Sequence, residues 1–88
     1  MKNEHCESGA FLILIVSIMR TEELKKLGQI IRTRREALGF TQFELAGRSH
    51  VDRNYIGMLE RGERNPSYLS LLKIAEGLGV PLCKLFKK

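Results

Sequence analysis

The chain has few of the residues that build metal sites or disulfide scaffolds. Its two cysteines, Cys6 and Cys83, lie 77 positions apart and outside any CxxC pair, and its two histidines, His5 and His50, are also far apart. These spacings argue against a structural zinc site and against a disulfide framework. We therefore expect two reduced thiols in a cytoplasmic protein that needs no metal and no cofactor.

A long apolar run is also lacking. The most apolar stretch, residues 10–19 with the sequence AFLILIVSIM, has about half the length of a membrane-spanning helix. The stretch before it has a net negative charge and no A-x-A-like cleavage site follows it, so it does not resemble a secretory signal. No membrane partner is expected.

The chain is short, and its size limits the functions open to it. Its 88 residues allow one domain, which at this length buries only about 60% of the surface of the unfolded chain. That leaves little room for a deep catalytic cleft, and no nucleophile–base set stands out in the sequence. We expect a protein that is not an enzyme and that has no evident small-molecule ligand.

What the chain does have is an excess of positive charge. Fifteen basic residues against ten acidic ones give a net charge of +5 and a pI of about 9.6. Residues 20–88 alone hold fourteen basic and eight acidic side chains. Such an excess on a compact body favours a phosphate-rich partner.

Local signals from Thr21 onward predict five helices and no strand. Thr21 is a candidate N-cap for the first helix, and Gly39 is its natural end. The apolar stripe of that helix consists of Leu24, Leu27, Ile31 and Leu38. We therefore divide the chain into an N-terminal arm, residues 1–20, and a helical domain, residues 21–88.

Two capping patterns mark a pair of short helices in the middle of the chain. Thr41 and Glu44 have capping-box spacing, so a second helix should cover residues 42–49. Asp52 is an N-cap for a third helix, which should cover residues 53–61. Two short helices separated by three residues have the geometry of a helix-turn-helix.

Two further helices complete the predicted domain. Ser67 caps the fourth helix and Gly79 ends it. The apolar stripe of the fourth helix consists of Tyr68, Leu71, Leu72, Ala75 and Leu78. Pro81 suits the first turn of a short fifth helix. The apolar residues of that last helix are Leu82, Leu85 and Phe86.

The third helix and the motifs around it carry a family resemblance. Near its N-terminal end the outward residues are Arg53, Asn54, Gly57 and Met58, and such a polar face fits the major groove of DNA. Residues 27–86 resemble the DNA-binding domain of the phage Cro and repressor type, the xenobiotic-response-element family. The motifs are Thr41-Gln42, Leu45-Ala46, Val51-Asp52-Arg53, Tyr55-Ile56, Leu59-Glu60-Arg61-Gly62, Asn65-Pro66, Leu71-Leu72-Lys73-Ile74-Ala75 and Leu78-Gly79-Val80. Residues 52–56 are also similar to the controller proteins of restriction–modification systems.

The resemblance implies an all-α, five-helix, repressor-like fold. It implies a transcriptional regulator that binds a pseudo-palindromic operator in double-stranded DNA as a homodimer. The residues expected to read bases are Arg53, Asn54, Gly57 and Met58. The residues expected to hold DNA phosphates are Thr41, Gln42, Tyr55, Arg61, Arg64 and Asn65. The resemblance also implies a structural ion pair between Arg35 and Glu60, and a dimer surface formed by Leu82, Leu85 and Phe86.

The sequence departs from the family pattern in and around the second helix. His50 stands at a turn position that is usually glycine because its backbone is left-handed, and histidine tolerates that conformation better than most residues. Gly47, inside the second helix, is unfavourable by up to about 1 kcal/mol relative to alanine. Phe43 stands where the family usually has a polar residue.

Plainer interpretations stay open for several of these residues. Arg53 and Asn54 could be solvated side chains on an exposed helix, and the loop arginines could form salt bridges with Glu60 or Glu63. The alternative function is a protein-interaction module of the same fold, antitoxin-like or anti-repressor, with weak or no DNA binding.

The family pattern says nothing about residues 10–18. Half of residues 11–18 are Ile or Val, which favour a strand. The open edges of such a strand favour pairing with the same strand of a second protomer, which would place Ile13 and Ile15 at a dimer interface. Two alternatives stay open: an apolar helix that continues the first helix upstream, or a native protein that begins at Met19.

Overall fold

The structure, a computed structural model, describes residues 21–86, and within this range it contains five helices and no strand. The helices are α1 (Thr21–Ala37), α2 (Gln42–Ser49), α3 (Arg53–Glu60), α4 (Tyr68–Leu78) and α5 (Leu82–Leu85). The all-α prediction is confirmed. The predicted end of α3 differs from the observed one by one residue, because Arg61 is the C-cap.

Side-chain caps fix the starts of α2 and α3. The Thr41 hydroxyl accepts a hydrogen bond of 3.0 Å from the Glu44 amide, and the Thr41 amide donates one of 2.8 Å to the Glu44 carboxylate. This is the predicted capping box. The Asp52 carboxylate accepts a 3.1 Å hydrogen bond from the Asn54 amide. Both helices of the helix-turn-helix therefore begin where local chemistry satisfies otherwise unpaired amides.

The turn between α2 and α3 depends on a left-handed residue. His50 has φ 59° and ψ 42°, as predicted, and is the non-glycine residue with positive φ within residues 21–86. The amides of His50 and Val51 both donate to the Ala46 carbonyl, which closes the end of α2. The chain thereby reverses direction within three residues and places α3 across α2.

One apolar core holds the five helices together. Helix α2 packs against α3 and α4, α1 packs against α3, and α5 packs against α4. The buried apolar residues at its centre are Leu27, Ile31, Leu45, Ala46, Ile56, Leu59, Leu71, Ile74, Ala75, Leu78, Leu82 and Leu85. Helices α1 and α3 approach closely at Gly28, where a Cβ atom would lie 2.6 Å from the carbonyl oxygen of Glu60.

Two residues predicted in the apolar stripes lie at the surface. Leu38 is 50% exposed because α1 ends at Ala37 and the chain turns through Gly39, whose φ is 77°. Tyr68 is 44% exposed as the first residue of α4, and the buried stripe begins one turn later at Leu71. Helical periodicity thus overestimates the core at helix ends.

The structure buries two of the three residues that were predicted to form a dimer surface on the last helix. Leu82 and Leu85 are 8% and 0% exposed because this short helix turns its apolar side into the core of its own protomer. Phe86 is partly buried against the same cluster. The Arg34 guanidinium donates a 2.8 Å hydrogen bond to the Lys84 carbonyl and ties α1 to α5. The two leucines therefore offer no exposed patch to a second protomer.

Cys83 is buried on α5. Cys6 and the apolar segment, with Ile13 and Ile15, lie outside the described residues. In the part of the chain that is described, no helix is long and apolar enough to cross a membrane.

Candidate nucleic-acid interface

The outer face of α3 and the start of α2 together form one open depression. Its volume is about 360 Å³. The lining residues are Gln42, Arg53, Asn54, Gly57, Met58 and Arg61. All six were predicted from the sequence to contact bases or phosphates. The fold therefore brings the predicted reading residues and two predicted phosphate residues to a single surface.

The first turn of α3 presents its polar side chains to solvent. Arg53 and Asn54 are both exposed, and Met58 lies one turn further along the helix, half-buried. An arginine fork matches the O6 and N7 acceptors of guanine, an asparagine amide matches adenine, and an apolar side chain can contact a thymine methyl. This face has the donors that direct reading of the major groove requires.

Gly57 lines the depression and is covered by longer side chains. It is buried, because the side chains of Gln42 and Arg61 lie over it. A Cβ atom at this position would lie 3.5 Å from the Gln42 Oε1 atom and 3.3 Å from the Arg61 Nη1 atom. Gly57 is therefore the floor of the depression and allows these two side chains to cross it.

A buried ion pair supports the depression from below. The Arg35 Nε and Nη2 atoms donate to the two Glu60 carboxylate oxygens at 2.6 and 3.1 Å, which is the predicted pair. The Arg35 Nη1 atom also donates to the Phe40 carbonyl at 2.7 Å. The Arg35 and Glu60 side chains are 11% and 3% exposed. The hydrogen bond with Glu60 raises the pKa of Arg35, so this guanidinium stays charged.

Gln42 joins the same network. Its Nε2 amide donates a 3.0 Å hydrogen bond to the Glu60 Oε1 atom, so α1, α2 and α3 meet at one carboxylate. The sequence suggested a phosphate contact for Gln42 but not this bond. Residues 18 positions apart carry no local signal of such a pairing, and only the packing of α2 against α3 reveals it.

Two arginines follow α3, and one of them, Arg61, lines the depression. Arg61 donates from Nε and Nη2 to the Glu63 carboxylate at 3.0 and 3.1 Å, and both side chains are exposed. Arg64 lies over the Tyr55 ring, 5.4 Å from its centroid. The salt bridge left open by the sequence for a loop arginine is thus observed for Arg61.

The remaining predicted phosphate residues lie near the surface. Asn65 is exposed in the loop after α3, and Tyr55 packs its ring partly against the core. The Thr41 hydroxyl is already engaged in the α2 cap. Within residues 21–86, no three His, Cys, Asp or Glu side chains are grouped so that they could hold a metal ion.

Comparison with known proteins places this arrangement in a family. A model of the helix-turn-helix family matches residues 31–85, which include the whole of α2, α3 and the depression. The chain belongs to the helix-turn-helix family. Within that family it resembles the Cro and C1 repressor type, as the sequence motifs indicated.

Several relatives of this helix-turn-helix protein are controllers of restriction–modification systems. The control protein C.MunI from a Mycoplasma species is 37% identical over 71 residues, 81% of this chain and 88% of that protein. The crystal structure of the controller C.AhdI from Aeromonas hydrophila is 43% identical, with a TM-score of 0.72 over 74% of this chain and 98% of that one.

Another similar structure contains DNA. It is the restriction–modification controller C.Esp1396I, solved as a tetramer in complex with its natural 35 base-pair operator. It is 39% identical, with a TM-score of 0.69 over 73% of this chain and 84% of that chain.

Proposed function

We propose that this protein is a sequence-specific regulator of transcription that binds double-stranded DNA as a homodimer, with α3 in the major groove. The depression carries the proposal, because it joins the exposed base-reading side chains on α3 to the exposed guanidinium of Arg61. A similar protein, C.Esp1396I, is known bound to its operator. The similarity to the restriction–modification controller C.AhdI, which covers 74% of this chain and 98% of that one, supports control of restriction–modification genes as the more specific role.

The side chains of α3 divide into those that read sequence and those that fix position. Arg53 and Asn54 reach base edges from the first turn of α3, and Met58 contacts a thymine methyl. Arg61 and Arg64 neutralise phosphates, which sets the register without reading the sequence. The depression then faces the major groove, and Arg61 and Arg64 face the sugar–phosphate backbone of the DNA.

The start of α2 supplies a second phosphate contact. The first backbone amides of a helix have no intrahelical partner, and the helix dipole favours an anion there. Thr41 caps this end and Gln42 is held by Glu60, so the amides at the start of α2 keep a fixed position beside the depression. Tyr55 contributes a polar group from α3, and Asn65 contributes one from the loop after it.

A homodimer is part of the proposal because one recognition helix covers only a few base pairs. That is too little to distinguish an operator from the competing sites of a genome. Two protomers related by a two-fold axis double the sequence that is read and match a pseudo-palindromic operator. An operator of this kind lies in the cytoplasm of a bacterium, where we expect the protein to regulate transcription.

Selection of bound sequences from a random DNA pool tests the proposal. We expect a two-fold symmetric consensus, and an affinity for it whose log–log dependence on salt has a slope of about −0.9 for each phosphate contact. If no sequence is enriched and no salt-dependent binding to DNA is found, the protein-interaction alternative replaces this function.

Arg53→Ala tests which face docks on DNA. We expect this variant to lose about 1–3 kcal/mol of binding free energy at the selected site and to relax the preference at one base position. Arg32→Ala is a matched control, because Arg32 is exposed on α1 and does not line the depression. Equal effects of the two substitutions would contradict the docking face.

A further inference from the structure

Glu63 occupies a fixed position at the end of the recognition helix. The Gly62 amide donates to the Leu59 carbonyl at 3.0 Å, and the Glu63 amide donates to the Met58 carbonyl at 2.9 Å. With Gly62 in the left-handed conformation, φ 76°, these two bonds form a Schellman motif. The backbone of Glu63 is therefore held to α3 and does not move independently of the DNA-facing surface.

The Glu63 carboxylate binds Arg61 in the way that a phosphate would. Two parallel hydrogen bonds of 3.0 and 3.1 Å join Nε and Nη2 of Arg61 to the two carboxylate oxygens. Arginine holds phosphate oxygens with the same two-point fork. Arg61 also lines the depression, so its guanidinium is part of the surface that we assign to DNA.

This pair is open to exchange. The Arg61 and Glu63 side chains are 59% and 53% exposed, and pairs of this kind are weak because water screens them. The Arg61 guanidinium lowers the pKa of Glu63, so the carboxylate is ionised near neutral pH. The next arginine along the chain, Arg64, instead lies over the ring of Tyr55.

We propose that Glu63 competes with DNA phosphate for Arg61 and thereby lowers the affinity of the protein for DNA of any sequence. The inference rests on the proposed function. A phosphate that binds Arg61 must displace the carboxylate and then remain close to its negative charge, which costs binding free energy. Glu63 therefore limits non-specific binding by a protein whose net charge is +5.

Glu63→Gln tests this competition. We expect the variant to bind a random-sequence duplex about three- to tenfold more tightly near 0.1 M salt, and its salt slope to steepen by about 0.9. The matched control is Glu36→Gln, which removes the same charge from a side chain of the same exposure, 53%, and breaks the exposed 3.1 Å pair with Arg32. The control should show only the small gain that follows from the change in net charge.

The Arg61→Ala background separates competition from a general charge effect. In that background Glu63→Gln should give no gain beyond that of Glu36→Gln, because no arginine remains to be released. A Glu63→Gln variant that binds like Glu36→Gln, or more weakly than the wild type, would contradict the inference while the proposed function stands. A wild-type protein that binds neither the random duplex nor a selected site would instead contradict the proposed function.

Discussion

Two arginine–glutamate pairs meet at the end of α3, and they have the same chemistry in opposite surroundings. Arg35 and Glu60 form a two-point pair whose side chains are 11% and 3% exposed. Arg61 and Glu63 form another two-point pair whose side chains are 59% and 53% exposed. Glu60 and Arg61 are neighbours in sequence. Because it is buried, the first pair holds α1 and α3 together, whereas the second pair is exposed and can exchange partners.

The two pairs also differ in what they require of the fold. Arg35 and Glu60 are 25 residues apart and meet only because α1 crosses α3 closely at Gly28. Removal of one partner from a buried pair leaves the other charge without compensation. Arg61 and Glu63 are two residues apart, and their contact needs only the turn after α3.

Glu60→Ala should break the buried pair and have the largest effect on stability of the substitutions considered. The substitution leaves Arg35 without its carboxylate and Gln42 without its acceptor, so we expect a loss of about 3–5 kcal/mol in the free energy of unfolding. Urea denaturation followed by circular dichroism measures it. Glu63→Ala is the matched control and should change stability by less than about 1 kcal/mol. Equal losses would mean that burial does not distinguish the pairs.

Gly28→Ala should disturb the buried pair by separating its helices. The added Cβ would lie 2.6 Å from the Glu60 carbonyl oxygen and 2.8 Å from its carbonyl carbon, and this backbone cannot swing aside as a side chain could. We expect a destabilisation of about 1–3 kcal/mol, as for other overpacked sites. An unchanged denaturation midpoint would show that the close approach of α1 and α3 is not required.

Gly47→Ala makes the same substitution where the helix faces open space. No atom lies within 4 Å of a Cβ built at Gly47, and the residue is exposed inside α2. We expect stabilisation by up to about 1 kcal/mol, because alanine is the better helix former. The opposite signs at Gly28 and Gly47 would be seen in the same thermal melts. A destabilised Gly47→Ala variant would point to a backbone need that the described contacts do not show.

Local chemistry made much of this molecule predictable. The capping box at Thr41 and the Asp52 cap each depend on residues close in sequence, and both were predicted correctly. The left-handed conformation of His50 was expected from the family pattern and is confirmed. The Arg35–Glu60 pair was available only through the family resemblance. Of the residues that line the depression, Arg53, Asn54, Gly57 and Met58 were predicted from the outward face of the helix, whereas Gln42 and Arg61 came from the family resemblance.

Tertiary packing explains where the prediction failed. Leu82 and Leu85 were assigned to a dimer surface, and nothing local to α5 indicates that α4 covers its apolar side. The Gln42–Glu60 hydrogen bond likewise joins residues that only the packing of α2 on α3 brings together.

Titration of Glu63 tests the exposed pair, whose loss should have the smallest effect on stability of the changes considered. The Arg61 guanidinium lowers the pKa of Glu63. The pKa of Arg61 is raised by its hydrogen bond with Glu63, and that of Arg35 is raised by its hydrogen bond with Glu60. Both arginines therefore stay charged through the acid range. A carboxylate with a lowered pKa in the folded protein adds stability above its unfolded pKa and loses it as the pH falls through the folded pKa. Carbon-13 NMR of the Glu63 carboxyl should therefore show a midpoint below that of an ordinary glutamate, and Arg61→Ala should return it to the ordinary range. The same midpoint in both proteins would mean that Arg61 and Glu63 are not paired in solution, so that only the buried pair would exist.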